Sequence, residues 1–189
     1  MPQEKLSVCV FCGSRPGKDP AYAEAARSLG EALGTRGWRL VYGAGDVGLM
    51  GEVARAAQAN GAQTFGVIPE HLVRMEVGKS DLNAYVVTET MHERKKVMFM
   101  NADAIVLLPG GAGSLDEFFE VLTWAQLGLH AKPILLVNIL GFWNPLLTVL
   151  DQIVSQGFAD SSIKSLYASV STVSECISAL DSGIMSQGA

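Results

Sequence analysis

The chain has 189 residues, 49% hydrophobic and 17% charged, a balance that excludes a disordered polypeptide and suits one domain, residues 1–189, with a sizeable core. A formal net charge of −5 argues against a nucleic-acid surface, which leans on clustered Lys and Arg. Neither a bilayer-length apolar run nor a signal-peptide layout in "MPQEKLSVCVFCGSR" is seen, so a cytoplasmic protein without membrane partners is expected.

Short apolar runs alternate with amphipathic stretches along the chain. The first run, Leu6–Phe11, reads as a strand. It leads into a C-x-x-C pair, Cys9 and Cys12. Positions three apart on a strand point to opposite faces, so the pair reads as two buried small residues rather than a redox motif. Three cysteines are an odd count for a disulfide scaffold, and three His residues without ligand spacing give no zinc site. A glycine loop, "CGSRPG", follows the strand, with Gly13 and Ser14 as candidate anion contacts. A helix over Ala21–Arg36 and a strand over Arg39–Tyr42 come next.

The second glycine loop, "YGAGDVGLMG", carries G-x-G-x-x-G at Gly43, Gly45 and Gly48. Alone this suggests a dinucleotide site. It follows the second strand rather than the first, however, and the next strand reaches an acid only at Glu70, after Pro69. Tight turns and close packing are the competing explanation. A helix over Leu49–Asn60 and a strand over Thr64–Ile68 follow, then a long irregular stretch, Pro69–Asn83, of the length often used functionally.

A strand at Tyr85–Thr88 precedes "MHERKKVM", which opens a helix over His92–Ala102. Adjacent Arg94 and Lys95 project about 100° apart, so one can face a phosphate or ribose while the other pairs with an acid. A solvated basic face is the plain alternative. After the strand Ala104–Leu108 comes the third loop, "PGGAGSLDEFFE", with Gly110, Gly111 and Gly113 opening a helix over Ser114–Leu127. Glycine amides and a helix N-terminus attract anions. Ser114 can cap this helix, and Glu117 three residues later completes a capping-box pattern. Glu117 also lies about 5 Å along the axis from the cradle, the reach from a 5′-phosphate toward its ribose. Strands at Ile134–Asn138 and Leu166–Val170 and helices at Pro145–Gln156 and Val173–Leu180 complete the pattern. Mostly continuous apolar strands separated by helices predict an α/β, doubly wound parallel sheet of Rossmann-like type, with ligands beyond the carboxyl ends of the strands.

"PGGAGSLDE" resembles the P-G-G-x-G-T-x-x-E signature of the LOG family, the cytokinin riboside 5′-monophosphate phosphoribohydrolases. "VFCGSRPG", "LVYGAGDVGLMG", "MHERK", "TWAQLGLHAKP" and "VNILGFWNPLL" match further family blocks in order. The resemblance implies a homodimer that hydrolyses the N-glycosidic bond of adenosine 5′-monophosphates, typically N6-modified, to a free base and ribose 5-phosphate; no cofactor or metal is expected. It places catalysis on Arg94 and Glu117. Substrate contacts fall on Lys95, on Gly111, Ala112, Gly113, Ser114, Leu115 and Asp116, on Thr123 and on Glu76; the first two glycine loops, read from their own residues, add Gly13, Ser14, Gly43 and Gly45 as expected substrate contacts. Three positions depart from the pattern. Ala44 replaces a glycine, and its side chain disfavours positive φ; Ala112 replaces Tyr; Ser114 replaces Thr and keeps the hydroxyl.

Chemically, Glu117 is expected to stabilise positive charge developing on the ribose and to orient or deprotonate water. Arg94 is expected to fix the ribose phosphate and keep Glu117 ionised. A non-catalytic nucleotide or cofactor carrier is the alternative on the same fold, and a nicotinamide-linked oxidoreductase is the reading of the second loop alone.

Overall fold

The computed structural model describes residues 5–73 and 78–186, without the side chains of 183–186. The strands are β1 (Ser7–Phe11), β2 (Arg39–Tyr42), β3 (Thr64–Pro69), β4 (Ala84–Thr88), β5 (Ala104–Leu107), β6 (Ile134–Val137) and β7 (Ala168–Val170). They form one parallel sheet in the order β4-β3-β2-β1-β5-β6-β7. The central strands β1, β2, β5 and β6 are apolar because helices cover both faces. At edge strand β4 burial alternates, leaving Val87 half exposed.

Helices α1 (Pro20–Thr35), α2 (Gly48–Ala59) and α7 (Val173–Ser186) contribute Leu29, Leu33, Val53, Cys176 and Leu180 to the core on one face. Helices α4 (Met91–Met100), α5 (Ala112–Gln126) and α6 (Asn144–Ser155) contribute Met98, Phe118, Leu122 and Leu150 to the other. Cys9 belongs to the second core and Cys12 to the first, so the C-x-x-C pair does straddle β1, and the cysteines are free and buried. Pro20 opens α1 behind an Asp19 side chain that accepts from the Ala21 amide.

The stretch after β3 is not wholly irregular. It begins with a one-turn helix, α3 (Glu70–Val73), which four residues of polar and apolar sequence gave no periodicity to reveal. Gly78 then bridges Gly45, and the Lys79 amide donates to the Ala44 carbonyl, folding the stretch over the second glycine loop. Ala44 itself sits at φ 62° and is fully buried. The preference against positive φ expected from its sequence is thus overridden, at a cost of roughly 1–2 kcal/mol.

β1 continues to β2 on one side and pairs with β5 on the other, making the β1/β5 boundary the switch point of the sheet. Their register, Val8 with Ala104 through Phe11 with Leu107, brings both strands to the same level. The Leu108 amide donates to Phe11 O at 2.9 Å and the Gly13 amide to Pro109 O at 3.0 Å, so the first and third glycine loops leave the sheet side by side.

Candidate active site

A cavity of about 480 Å³ opens at this switch point. Its walls include the first loop from Cys12 to Gly17, Gly43 and Met50 of the second, and the third from Pro109 to Ser114, with Arg94 and Glu117 inside.

Each wall has a local cause. Helix α5 starts at the N-cap Gly111, with no capping side chain among the described residues. Its first amides therefore remain free to meet an anion at the cavity mouth. This corrects the expectation for Ser114. It lies inside the first turn, 4% exposed, with its hydroxyl against Gly110, and lines the cavity instead of capping. The capping box proposed for Ser114 and Glu117 is therefore not formed. The real one is at α4, where the Thr90 side chain accepts from the Glu93 amide and Glu93 accepts from the Thr90 amide. The T-x-x-E spelling at Thr90–Glu93 was the available signal.

That box fixes the start of α4 and so the direction of Arg94, which is 6% exposed. Arg94 donates from Nε to Val67 O at 3.0 Å and from Nη2 to Gly43 O at 2.8 Å. Its guanidinium is pinned to β3 and to the residue that follows β2, and makes no hydrogen bond or ion pair with Glu117 among the described residues. A Cβ at position 43 would run into it, which accounts for a glycine there.

The other glycines of the second loop are also explained by packing. Gly48, at φ 60°, lies against the Ser14–Arg15 backbone, and Gly45 lies against Met50. The G-x-G-x-x-G spelling therefore seats the first loop and Arg94. Only Gly43 of its three glycines lines the cavity.

Glu117 has no hydrogen-bond partner among the described residues, and its carboxyl is raised from 4.5 to about 7. Burial is the main cause; Asp116 and Glu120 push the same way, while Arg94 and Lys95 oppose them. This corrects the expectation that Arg94 keeps Glu117 fully ionised: enclosure outweighs the nearby cation. Cys9 and Cys12 also feel the Glu117 charge, and burial above all lifts both thiols.

Of the residues expected at the site, Gly13, Ser14, Gly43, Arg94, Gly111, Ala112, Gly113, Ser114 and Glu117 line the cavity. Gly45, Lys95, Leu115, Asp116 and Thr123 do not, and Glu76 lies outside the described residues. The Gly13 amide is already committed to Pro109. Lys95 turns away from the cavity and holds Asp116 at 2.9 Å and Glu120 more closely still. Sequence reasoning missed Tyr22, Met91, Met98 and Phe142 as wall residues. For Met91 and Met98 a signal existed, since 91, 94 and 98 share one helical face. For Tyr22 and Phe142, packed edge-to-face at 5.6 Å across more than a hundred residues of chain, there was none. Among the described residues no group of three or more His, Cys, Asp or Glu is placed to hold a metal.

A doubly wound α/β fold with an uncapped helix N-terminus and an enclosed carboxylate at its switch point defines a nucleotide-type site. The family model described as possible lysine decarboxylase matches residues 50–180. Cytokinin riboside 5′-monophosphate phosphoribohydrolase LOG7 of Arabidopsis thaliana is 44% identical over 174 residues, 92% of this chain and 80% of that protein. The LOG protein of Oryza sativa subsp. japonica is 43% identical over 92% of this chain and 72% of its own. The chain belongs to the LOG family. Among solved structures, the molybdenum cofactor binding protein of Rippkaea orientalis superposes with a TM-score of 0.71 at 20% identity, covering 96% of this chain and 99% of that one. The molybdenum cofactor carrier protein of Chlamydomonas reinhardtii gives 0.71 at 22%, covering 95% and 98%. These two share the fold.

Proposed function

We propose that the protein hydrolyses the N-glycosidic bond of adenosine 5′-monophosphates, N6-modified ones included, releasing the free base and ribose 5-phosphate. The observation that carries this reading is Glu117: an enclosed carboxyl poised near neutrality, about one and a half helical turns from an uncapped N-terminus in the same cavity. The amides of the α5 first turn hold the 5′-phosphate, with the Ser114 hydroxyl beside them. Ionised Glu117 faces C1′, stabilises the positive charge that develops as the C1′–N bond breaks, and takes a proton from the attacking water. The bond to the base breaks, the C1′–O bond forms, and the proton that Glu117 took from water passes on through solvent to the departing base. Arg94, anchored on Val67 and Gly43, supplies a fixed positive charge to the phosphate side of the ribose. Because the phosphate lies away from the scissile bond, its binding energy is available to orient the sugar.

The 41–44% identity to curated phosphoribohydrolases supports the reaction. The same reading treats residues 1–189 as one nucleotide-binding domain working as a homodimer in the cytoplasm. Exposed Met100, Leu127 and Leu129 support self-association, and three free cysteines support a reducing compartment. No described helix is long and apolar enough to cross a membrane.

The test is chromatographic release of free base from AMP, N6-isopentenyladenosine monophosphate and adenosine under one condition. Both monophosphates should be cleaved, with kcat/KM for AMP at least about 100-fold above adenosine, the scale of one or two charge-assisted hydrogen bonds. Tight binding without release would make the protein a carrier, and adenosine cleaved as well as AMP would remove the phosphate from the α5 cradle.

A further inference from the structure

Lys95 is 6% exposed, yet it sits on the helix that begins beside the cavity and does not face into it. Its ammonium reaches from α4 to α5 and is clamped between Asp116, at 2.9 Å, and Glu120. These two acids are four residues apart on α5, and Glu117 follows Asp116 directly. Arg94 precedes Lys95 directly on α4. The clamp therefore joins the two helical turns that carry the two cavity groups.

We propose that Lys95 is a positioning residue: it fixes Arg94 and Glu117 relative to each other by tying α4 to α5, and it offsets the two carboxylates that flank Glu117. The proposal rests on the reading of Glu117 as the reacting carboxylate, and it assigns Lys95 a role other than direct contact with substrate.

The charge balance supports it. Glu117 faces Arg94 and Lys95 from α4, Asp116 and Glu120 from its own helix, and the thiols of Cys9 and Cys12 from β1 and its end. Asp116 and Glu120 disfavour a charge on Glu117, and Lys95 favours it. Burial works against the Lys95 charge itself, but its hydrogen bonds to Glu120 and Asp116 hold its pKa above the usual lysine range. The ammonium is therefore a permanent charge at neutral pH. Without it, two unpaired carboxylates would flank the reacting one, and α4 would lose its ion-pair anchor on α5.

Lys95→Met, Lys95→Arg, Asp116→Asn and Glu120→Gln test this with two readouts. The first is the titration of the Glu117 carboxyl by 13C NMR in Glu-labelled protein, assigned by its loss in Glu117→Gln. The second is the pH profile of base release from AMP. Lys95→Met should move the Glu117 titration upward by about half a pH unit or more, while Asp116→Asn and Glu120→Gln should move it downward. The low-pH limb of kcat/KM should follow each shift. Lys95→Met should lower kcat at least about tenfold with KM within about twofold, and Lys95→Arg should recover most of the loss. A purely structural tie would not move the titration in opposite directions. An unmoved titration, or a tenfold rise in KM with kcat intact, would overturn the proposal and make Lys95 a substrate contact. If Lys95→Met does not fold, the two acid variants still decide the field. If the wild type releases no base, the enzymatic reading fails, but the NMR titration still tests the charge balance.

Discussion

Glu117→Gln separates the chemistry of the site from its cost. The carboxyl moves from 4.5 to about 7 on folding, chiefly because the fold encloses it. At about 1.4 kcal/mol per tenfold change in proton affinity, ionised Glu117 costs the folded state about 3 kcal/mol. Glu117 keeps some accessible surface because it lines the cavity, and water there softens the penalty, so this figure is a ceiling. The folded state holds this proton more tightly than the unfolded chain, so the contribution of Glu117 to stability is greatest below about pH 4.5 and is lost as pH rises through about 7. A glutamine is neutral throughout. It should leave stability nearly unchanged at pH 4.5 and raise it by about 1–3 kcal/mol at pH 8, a melting point about 3–10 °C higher for a chain of this size. Activity should move oppositely. Wild-type kcat/KM for AMP should rise with pH through about 7, as the carboxylate forms, and then level off. The variant should be at least about 100-fold slower, without that inflection. Thermal denaturation at the two pH values and base release from pH 5 to 9 supply the data. A variant that melts earlier than wild type at pH 8 while keeping its activity would refute the argument and return Glu117 to a structural role.

Arg94→Ala should lower both binding and turnover, since the guanidinium joins Val67 and Gly43 and supplies a buried positive charge to the cavity. The cost should be roughly 1.5–3 kcal/mol in kcat/KM, measured with AMP, and unchanged kinetics would remove Arg94 from the site. Gly48→Ala should destabilise by about 2–5 kcal/mol, because a Cβ there meets the Ser14–Arg15 backbone and φ is 60°. The displaced first loop should also raise KM for AMP, and a neutral melting curve would count against the packing role assigned to Gly48.

Much of this molecule was legible in one sequence. Strand positions followed from apolar runs, because strands covered on both faces need no alternation to be recognised. The side-by-side divergence of Arg94 and Lys95 followed from 100° per residue, and the opposite faces of Cys9 and Cys12 from a period of two. These are local properties, fixed by backbone geometry before any long-range contact forms. The family signature added a short list of residues, of which the loop around Gly111–Ser114, Arg94 and Glu117 meet at one cavity.

What only the tertiary structure decided depends on distance in space between residues far apart in the chain. S-x-x-E at Ser114–Glu117 and T-x-x-E at Thr90–Glu93 spell the same cap, but the path of the third loop out of β5 makes Gly111 the N-cap and leaves only the second spelling a box. The glycines of Gly43–Gly48 look like a cofactor loop until Arg94 and the Ser14–Arg15 backbone are seen pressed against them. Charge signs alone suggested that Arg94 would keep Glu117 ionised. The fold instead pins Arg94 to two carbonyls and encloses Glu117, and desolvation, which no linear spacing encodes, outweighs the attraction.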